Sequence, residues 1–96
     1  MKFTFDPQKE KINLAKHGYD FSFARLLFAD PLAVSAYDRF ENGEHRYHLI
    51  GAVGGGFKVL LAVYTLPDPE DDEWIQVIGL REATAHERRR YEEGDG

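Results

Sequence analysis

Ninety-six residues without a cysteine leave no room for a second domain of ordinary size, and they exclude a disulfide framework, cysteine-ligated zinc and a cysteine nucleophile. With 43% hydrophobic and 14% aromatic residues the chain can still build a core, so residues 1–96 are expected to form one domain. The N-terminal stretch is charged throughout and the longest apolar run (residues 59–64) is too short to span a membrane, so the expected location is cytoplasmic, away from membranes.

Residues 3–5 alternate apolar and polar and predict a short edge strand. Asp6-Pro7 predicts a helix start, with aspartate as N-cap and proline in the first turn. This helix is expected to run to about His17, with Ile12 and Ala15 as its apolar residues and Gly18 as its stop. Asp20 is expected to cap a second helix over residues 21–29, which Asp30-Pro31 terminates. Four strands are predicted next: 32–39, 46–53, 57–65 and 74–81. The turn-forming Glu41-Asn42-Gly43 separates the first two, Gly54-Gly55-Gly56 leads into the third as a buried central strand, and an acidic loop at 67–73 precedes the fourth. A last helix begins at Thr84 and covers 85–93. Consecutive strands with short connections predict an α+β fold: an antiparallel β-sheet meander with two N-terminal helices and one C-terminal helix packed on one face.

The formal charge of −5 argues against a nucleic-acid partner until its distribution is considered. Residues 68–73 carry five negative charges, so the rest of the chain is neutral. Glu92, Glu93 and Asp95 carry three more, leaving a remainder of about +3 in which Lys9, Lys11, Lys16, Arg81 and Arg88–Arg90 are free to form a local basic face.

Few single residues point to chemistry. The triple glycine lacks the lysine and the helix of a phosphate loop and reads as a hairpin turn. His45 and His48 are three apart in a strand and point to opposite faces, so the histidines do not suggest a metal site, and no cofactor is implied. Thr84 and Glu87 have capping-box spacing, which requires no function. Arg81 ends a strand just before a helix, and strand parity places it on one face with Ile75, Val77 and Gly79. Two readings of it stay open: an ion pair to Glu87 or another nearby carboxylate, and a phosphate contact beside the space left by Gly79. Arg46 shares a face with His48, and a cross-strand pair with Asp38 or Glu44 is its simplest role. His17 closes the first helix, where a cation is favoured. Arg88 and Tyr91 share a side of the last helix, and Tyr91 suits a core edge with a wet hydroxyl.

Three blocks of residues in order carry a resemblance. The first holds Phe5-Asp6-Pro7, Lys9, Asn13, Lys16-His17-Gly18, Phe21, Ala24, Phe28 and Asp30-Pro31. The second holds Glu44-x-Arg46-Tyr47 and Ile50-Gly51, and the third Arg81-x-Ala83-Thr84-x-x-Glu87-Arg88-x-x-Tyr91. From Phe3 to about Glu92 the chain resembles the BrnT family, the toxin half of a type II toxin–antitoxin pair. The resemblance implies a RelE-like fold and a ribonuclease toxin that inhibits translation. It implies a BrnA-type antitoxin with a ribbon-helix-helix domain, expected in a 2:2 complex that represses its own operon and touches DNA only through the antitoxin. The implied reaction needs no metal: a 2′-hydroxyl attacks the adjacent phosphate while the protein supplies a base, an acid and cationic stabilisation. Arg81 and Arg46 would form the charge clamp, His17 would act as acid or base, and Tyr91 would donate a proton or stack on a base. Lys16 and Arg88 would contact RNA phosphates. Two positions depart from the family pattern: Gly79-Leu80-Arg81 stands where a small-Ala-Arg triplet is usual, and Gln76 where a basic residue is common. They favour the alternative of an attenuated toxin or a non-catalytic interaction module.

Overall fold

In chain order the computed structural model, which describes residues 1–94, runs β1 (Lys2–Phe5), α1 (Pro7–His17), α2 (Phe23–Ala29), β2 (Val34–Glu41), β3 (Glu44–Val53), β4 (Lys58–Thr65), β5 (Trp74–Glu82) and α3 (Ala85–Glu93). Asp95, counted above in the acidic tail, lies outside the described residues. Local chemistry accounts for most of these boundaries. The Asp6 carboxylate accepts the Gln8 amide at 2.9 Å at the head of α1, and Gly18 closes that helix with φ 82°. Asn42 and Gly43 both have positive φ, the requirement of a two-residue hairpin turn whose twist matches the flanking strands. Phe57 stays outside β4, 82% exposed beside the glycine turn.

The second helix starts two residues later than expected. Asp20 is not its cap: the carboxylate accepts the Ser22 amide at 2.9 Å in a turn, and Ser22 occupies the N-cap position with its hydroxyl donating to Asp20 and not capping the helix. The Phe21 amide donates to Glu10 Oε2 at 2.9 Å, tying that turn to α1.

The five strands make one sheet in the order β1-β5-β4-β3-β2. The expected antiparallel meander holds for β2 to β5 only, because β1 pairs with β5 in parallel and the sheet is mixed. The first strand thereby protects an edge that the last strand would otherwise leave open.

Strand β4 lies in the centre and is buried on both faces, so its adjacent residues serve two different clusters. Leu60, Ala62 and Tyr64 face Phe21, Ala24 and Leu27 from the α2 region. Val59 and Leu61 pack with Val34, Ile50 and the ring of Tyr91 from α3. Helices α2 and α3 therefore cover opposite faces of the sheet, not one face as expected. Gly51 permits the approach of α2: a Cβ there would stand 3.0 Å from the Leu27 carbonyl oxygen.

Helix α1 occupies neither face. Strand β1 pairs with β5 only over residues 74–77, and beyond that point α1 takes over the edge through Asn13. The Asn13 side chain accepts the Leu80 amide at 3.1 Å, donates to the Leu80 carbonyl at 2.7 Å and donates to the Tyr19 carbonyl at 3.0 Å. This asparagine is the buried residue of α1, whereas Ile12, expected to pack, is 59% exposed and Ala15 is exposed too. Helix α1 is held by satisfying backbone groups at a sheet edge and not by an apolar stripe.

Candidate active site

Two bulges shape one end of the sheet. In β2, Tyr37 lies opposite Tyr47 and Arg39 opposite Arg46, so Asp38 is an extra residue. In β5, Val77 lies opposite Tyr64 and Gly79 opposite Val63, so Ile78 is extra. A bulge puts two residues of one strand opposite a single residue of its partner and resets the alternation beyond it. This overturns the parity expected for Arg81. Ile75 and Val77 point into the α2-side cluster, while Gly79 and Arg81 face the other way, in the rows of Val63 and Leu61. Arg46 and His48 share that face, as their spacing predicts, whereas His45 packs against Tyr37 and Phe40 on neighbouring aromatic positions.

The outcome is a cavity of about 580 Å³ lined by Lys9 of α1, Asp38 and Arg39 of β2, Arg46 and His48 of β3, Val63 of β4, and Ile78, Gly79 and Arg81 of β5. Three arginines and a lysine meet there in a protein whose overall charge is −5. A Cβ on Gly79 would make only ordinary contact with Val63, at 3.5 Å.

Each arginine has a carboxylate partner. Arg81 makes the ion pair that was one of its two open readings: Nη1 donates to Glu87 Oε1 at 2.8 Å and Nη2 to Oε2 at 3.0 Å. Glu87 also accepts the Thr84 amide at 2.9 Å while Thr84 Oγ1 accepts the Glu87 amide at 3.2 Å, completing the expected capping box. Arg46 approaches Glu41 Oε1 at 3.1 Å, neither Asp38 nor Glu44 being its partner as expected. Its Nε is buried without a hydrogen-bond partner among the described residues. His48 Nε2 lies 3.3 Å from Asp38 Oδ2, and Arg39 Nε reaches that oxygen at 3.6 Å.

The Arg81 guanidinium holds the Glu87 carboxyl down at about 2, against an ordinary value of 4.5. A depressed carboxylate stabilises the fold fully above its unfolded value, and that contribution is lost as pH falls from about 4.5 towards 2. Melting temperature followed from pH 7 to pH 2 should therefore fall more steeply in the wild type than in Glu87→Gln across that lower window. Parallel curves would show that the ion pair adds nothing to stability.

The remaining expected site residues lie elsewhere. Lys16 and His17 line a smaller adjoining cavity of about 230 Å³, which shares Lys9 and Ile78 with the larger one. Tyr91 lines a third cavity with Asp30, and its hydroxyl donates to Asp30 Oδ2 at 2.6 Å. That bond leads the causes pushing the Tyr91 phenol up to about 12. Partial burial pushes Asp30 up, but the Tyr91 hydroxyl and the Leu32 and Ala52 amides outweigh it, and its carboxyl sits below the ordinary range. Arg88 is half-buried on α3 and lines none of these three cavities. Gln76 accepts the Thr65 hydroxyl at 3.1 Å, in the same cross-strand row as Arg46. The sequence placed Lys9 in a basic face, Asp38 beside Arg46 and His48 on the face of Arg46, but it gave none of them a role in a site, and Arg39 went unnoticed.

Fold and cavity together define a small α+β protein that concentrates cations on one end of a mixed sheet. The chain belongs to the BrnT family: the family model described as "Ribonuclease toxin, BrnT, of type II toxin-antitoxin system" matches residues 5–87. Membership makes it a ribonuclease toxin of the type II class, one that works against an antitoxin partner. No curated protein matches the chain at a significant level.

Proposed function

We propose that this toxin is a metal-independent endoribonuclease that inhibits translation in the cytoplasm, with residues 1–96 acting as one RelE-like toxin domain. The observation that carries the reading is the convergence of Arg46 and Arg81, from two different strands, on one cationic cavity of a BrnT-family chain. Two guanidiniums on one face can hold a phosphate and stabilise the charge it gains when a 2′-hydroxyl attacks. Lys9 and Lys16 extend the positive surface along α1 into the adjoining cavity, giving neighbouring phosphates a track. Arg88 adds a cation on α3. Tyr91 is committed to Asp30 outside the cavity and serves to anchor α3, while His17 stands in the side cavity.

A BrnA-type antitoxin with a ribbon-helix-helix domain is the proposed partner, and its dimer symmetry gives a 2:2 complex that contacts the operator DNA. The acidic toxin suits a basic partner and speeds its association. A specific observation supports the attenuated alternative: Glu41 and Glu87 already engage Arg46 and Arg81, and Gln76 brings no charge.

Expression of the toxin alone, and with its BrnA-type partner, separates these readings. The toxin alone should arrest growth and shorten cellular RNA, and the partner should reverse both. The purified pair should have the light-scattering mass of a 2:2 assembly. Unimpaired growth with intact RNA would favour the non-catalytic module.

A further inference from the structure

We propose that His48, held by Asp38, is the residue that takes the proton in the RNA-cleaving step. This rests on the ribonuclease reading above. Of the four histidines, His48 is the one that lines the cavity with Arg46 and Arg81. His17 is exposed at the end of α1, His45 packs on Tyr37 and Phe40, and His86 is exposed on α3. The imidazole of His48 and the carboxylate of Asp38 are both three-quarters buried, each 24% exposed, with Nε2 and Oδ2 at 3.3 Å.

The bulge in β2 accounts for this arrangement. It sets both Asp38 and Arg39 opposite Arg46, so a carboxylate meets the imidazole without displacing the arginines. Asp38 can only accept, so its carboxylate 3.3 Å away favours the tautomer with hydrogen on Nε2, in which Nδ1 is the nitrogen that can take a proton. It also balances the imidazolium that forms, the task of the carboxylate behind any histidine base. The other charged groups around His48 are Arg39 on β2, Arg46 on β3, Lys9 on α1 and Arg81 on β5, with Glu41 facing Arg39 and Arg46. These cations hold the phosphate beside the imidazole.

The step balances simply. The 2′-hydroxyl proton passes to Nδ1 of His48 as the 2′-oxygen bonds to phosphorus. The bond from phosphorus to the 5′-oxygen breaks, and that oxygen takes a proton from water. The hydroxide left behind recovers the proton from the imidazolium, leaving a 2′,3′-cyclic phosphate and a 5′-hydroxyl.

Cleavage of single-stranded RNA, free and on translating ribosomes, should be followed from pH 5 to pH 9 for wild type, His48→Gln, Asp38→Asn, His17→Gln and His86→Gln, with melting temperatures as the check on folding. A base that must lose its proton before it can act makes the wild-type rate rise with pH. His48→Gln should lower kcat by ~10²-fold or more and remove that rise. Asp38→Asn should lower kcat with KM unchanged, as expected of a group that positions the base. His86→Gln should match the wild type. A folded His48→Gln with wild-type rate and pH profile, or a rise with pH that vanishes in His17→Gln instead, overturns the assignment. A wild type that leaves RNA intact on and off the ribosome overturns the ribonuclease reading itself.

Discussion

Asn13→Ala should damage the fold as severely as truncation of a core leucine, lowering stability by ~3 kcal/mol or more. The side chain makes three hydrogen bonds, all to backbone groups, and two of them go to Leu80 at a sheet edge no strand covers. Alanine would leave the Leu80 amide and two carbonyls unpaired in a site where Asn13 is 8% exposed and Leu80 1% exposed. In a domain of this length the loss corresponds to a fall in melting temperature on the order of 15 °C. Thermal unfolding measures it directly. The same change at exposed Ile12 should cost well under 1 kcal/mol, within the range of ordinary surface substitutions.

Arg46→Ala should have the largest effect on activity, reducing cleavage by ~10²–10³-fold, the scale of removing one donor that faces developing charge. The arginine lines the cavity with Nη1 at 3.1 Å from Glu41 Oε1, and its Nε is buried with no hydrogen-bond partner among the described residues. Arg46→Lys should not restore the rate, because a point charge cannot replace a planar fork. Folding should survive, since Glu41 keeps Arg39 Nε at 3.2 Å. Arg81→Ala should differ by harming both properties. Its guanidinium joins the end of β5 to the capping box of α3 through Glu87, so the contribution to charge stabilisation cannot be removed without loosening that helix. Cleavage rates and melting temperatures of the three variants distinguish the two arginines.

Local features of the chain were legible because local chemistry sets them. Asp6-Pro7 and Gly18 bound α1, Asn42-Gly43 turns β2 into β3, and Thr84 with Glu87 starts α3, each at the residue its side chain or backbone freedom requires. The continuous apolar run of β4 announced a strand covered on both faces. Three features had no such local signature. The parallel pairing of β1 with β5 joins segments about seventy positions apart, and nothing in a four-residue strand specifies its partner. The bulges at Asp38 and Ile78 break the period of two on which any parity argument rests, so the face of Arg81 was read correctly only relative to Gly79. Asn13 was hidden by its polarity: a search for apolar positions in α1 selects Ile12 and passes over the residue that fastens the helix. The candidate site shares this division. Arg46 and Arg81, expected as a charge clamp, do line one cavity, whereas the aspartate beside His48 depends on a bulge that only the folded sheet reveals.

The proposed RNA cleavage by side chains alone, at the cavity of Arg46 and Arg81, is tested by incubating a short single-stranded RNA with purified toxin in EDTA, with Arg46→Ala in parallel and the termini of the fragments identified. The expected result is undiminished cleavage in chelator, 2′,3′-cyclic phosphate and 5′-hydroxyl ends, and a strongly reduced rate in the variant. Cleavage that disappears in EDTA and returns with a divalent ion, or that proceeds equally in Arg46→Ala, would contradict it.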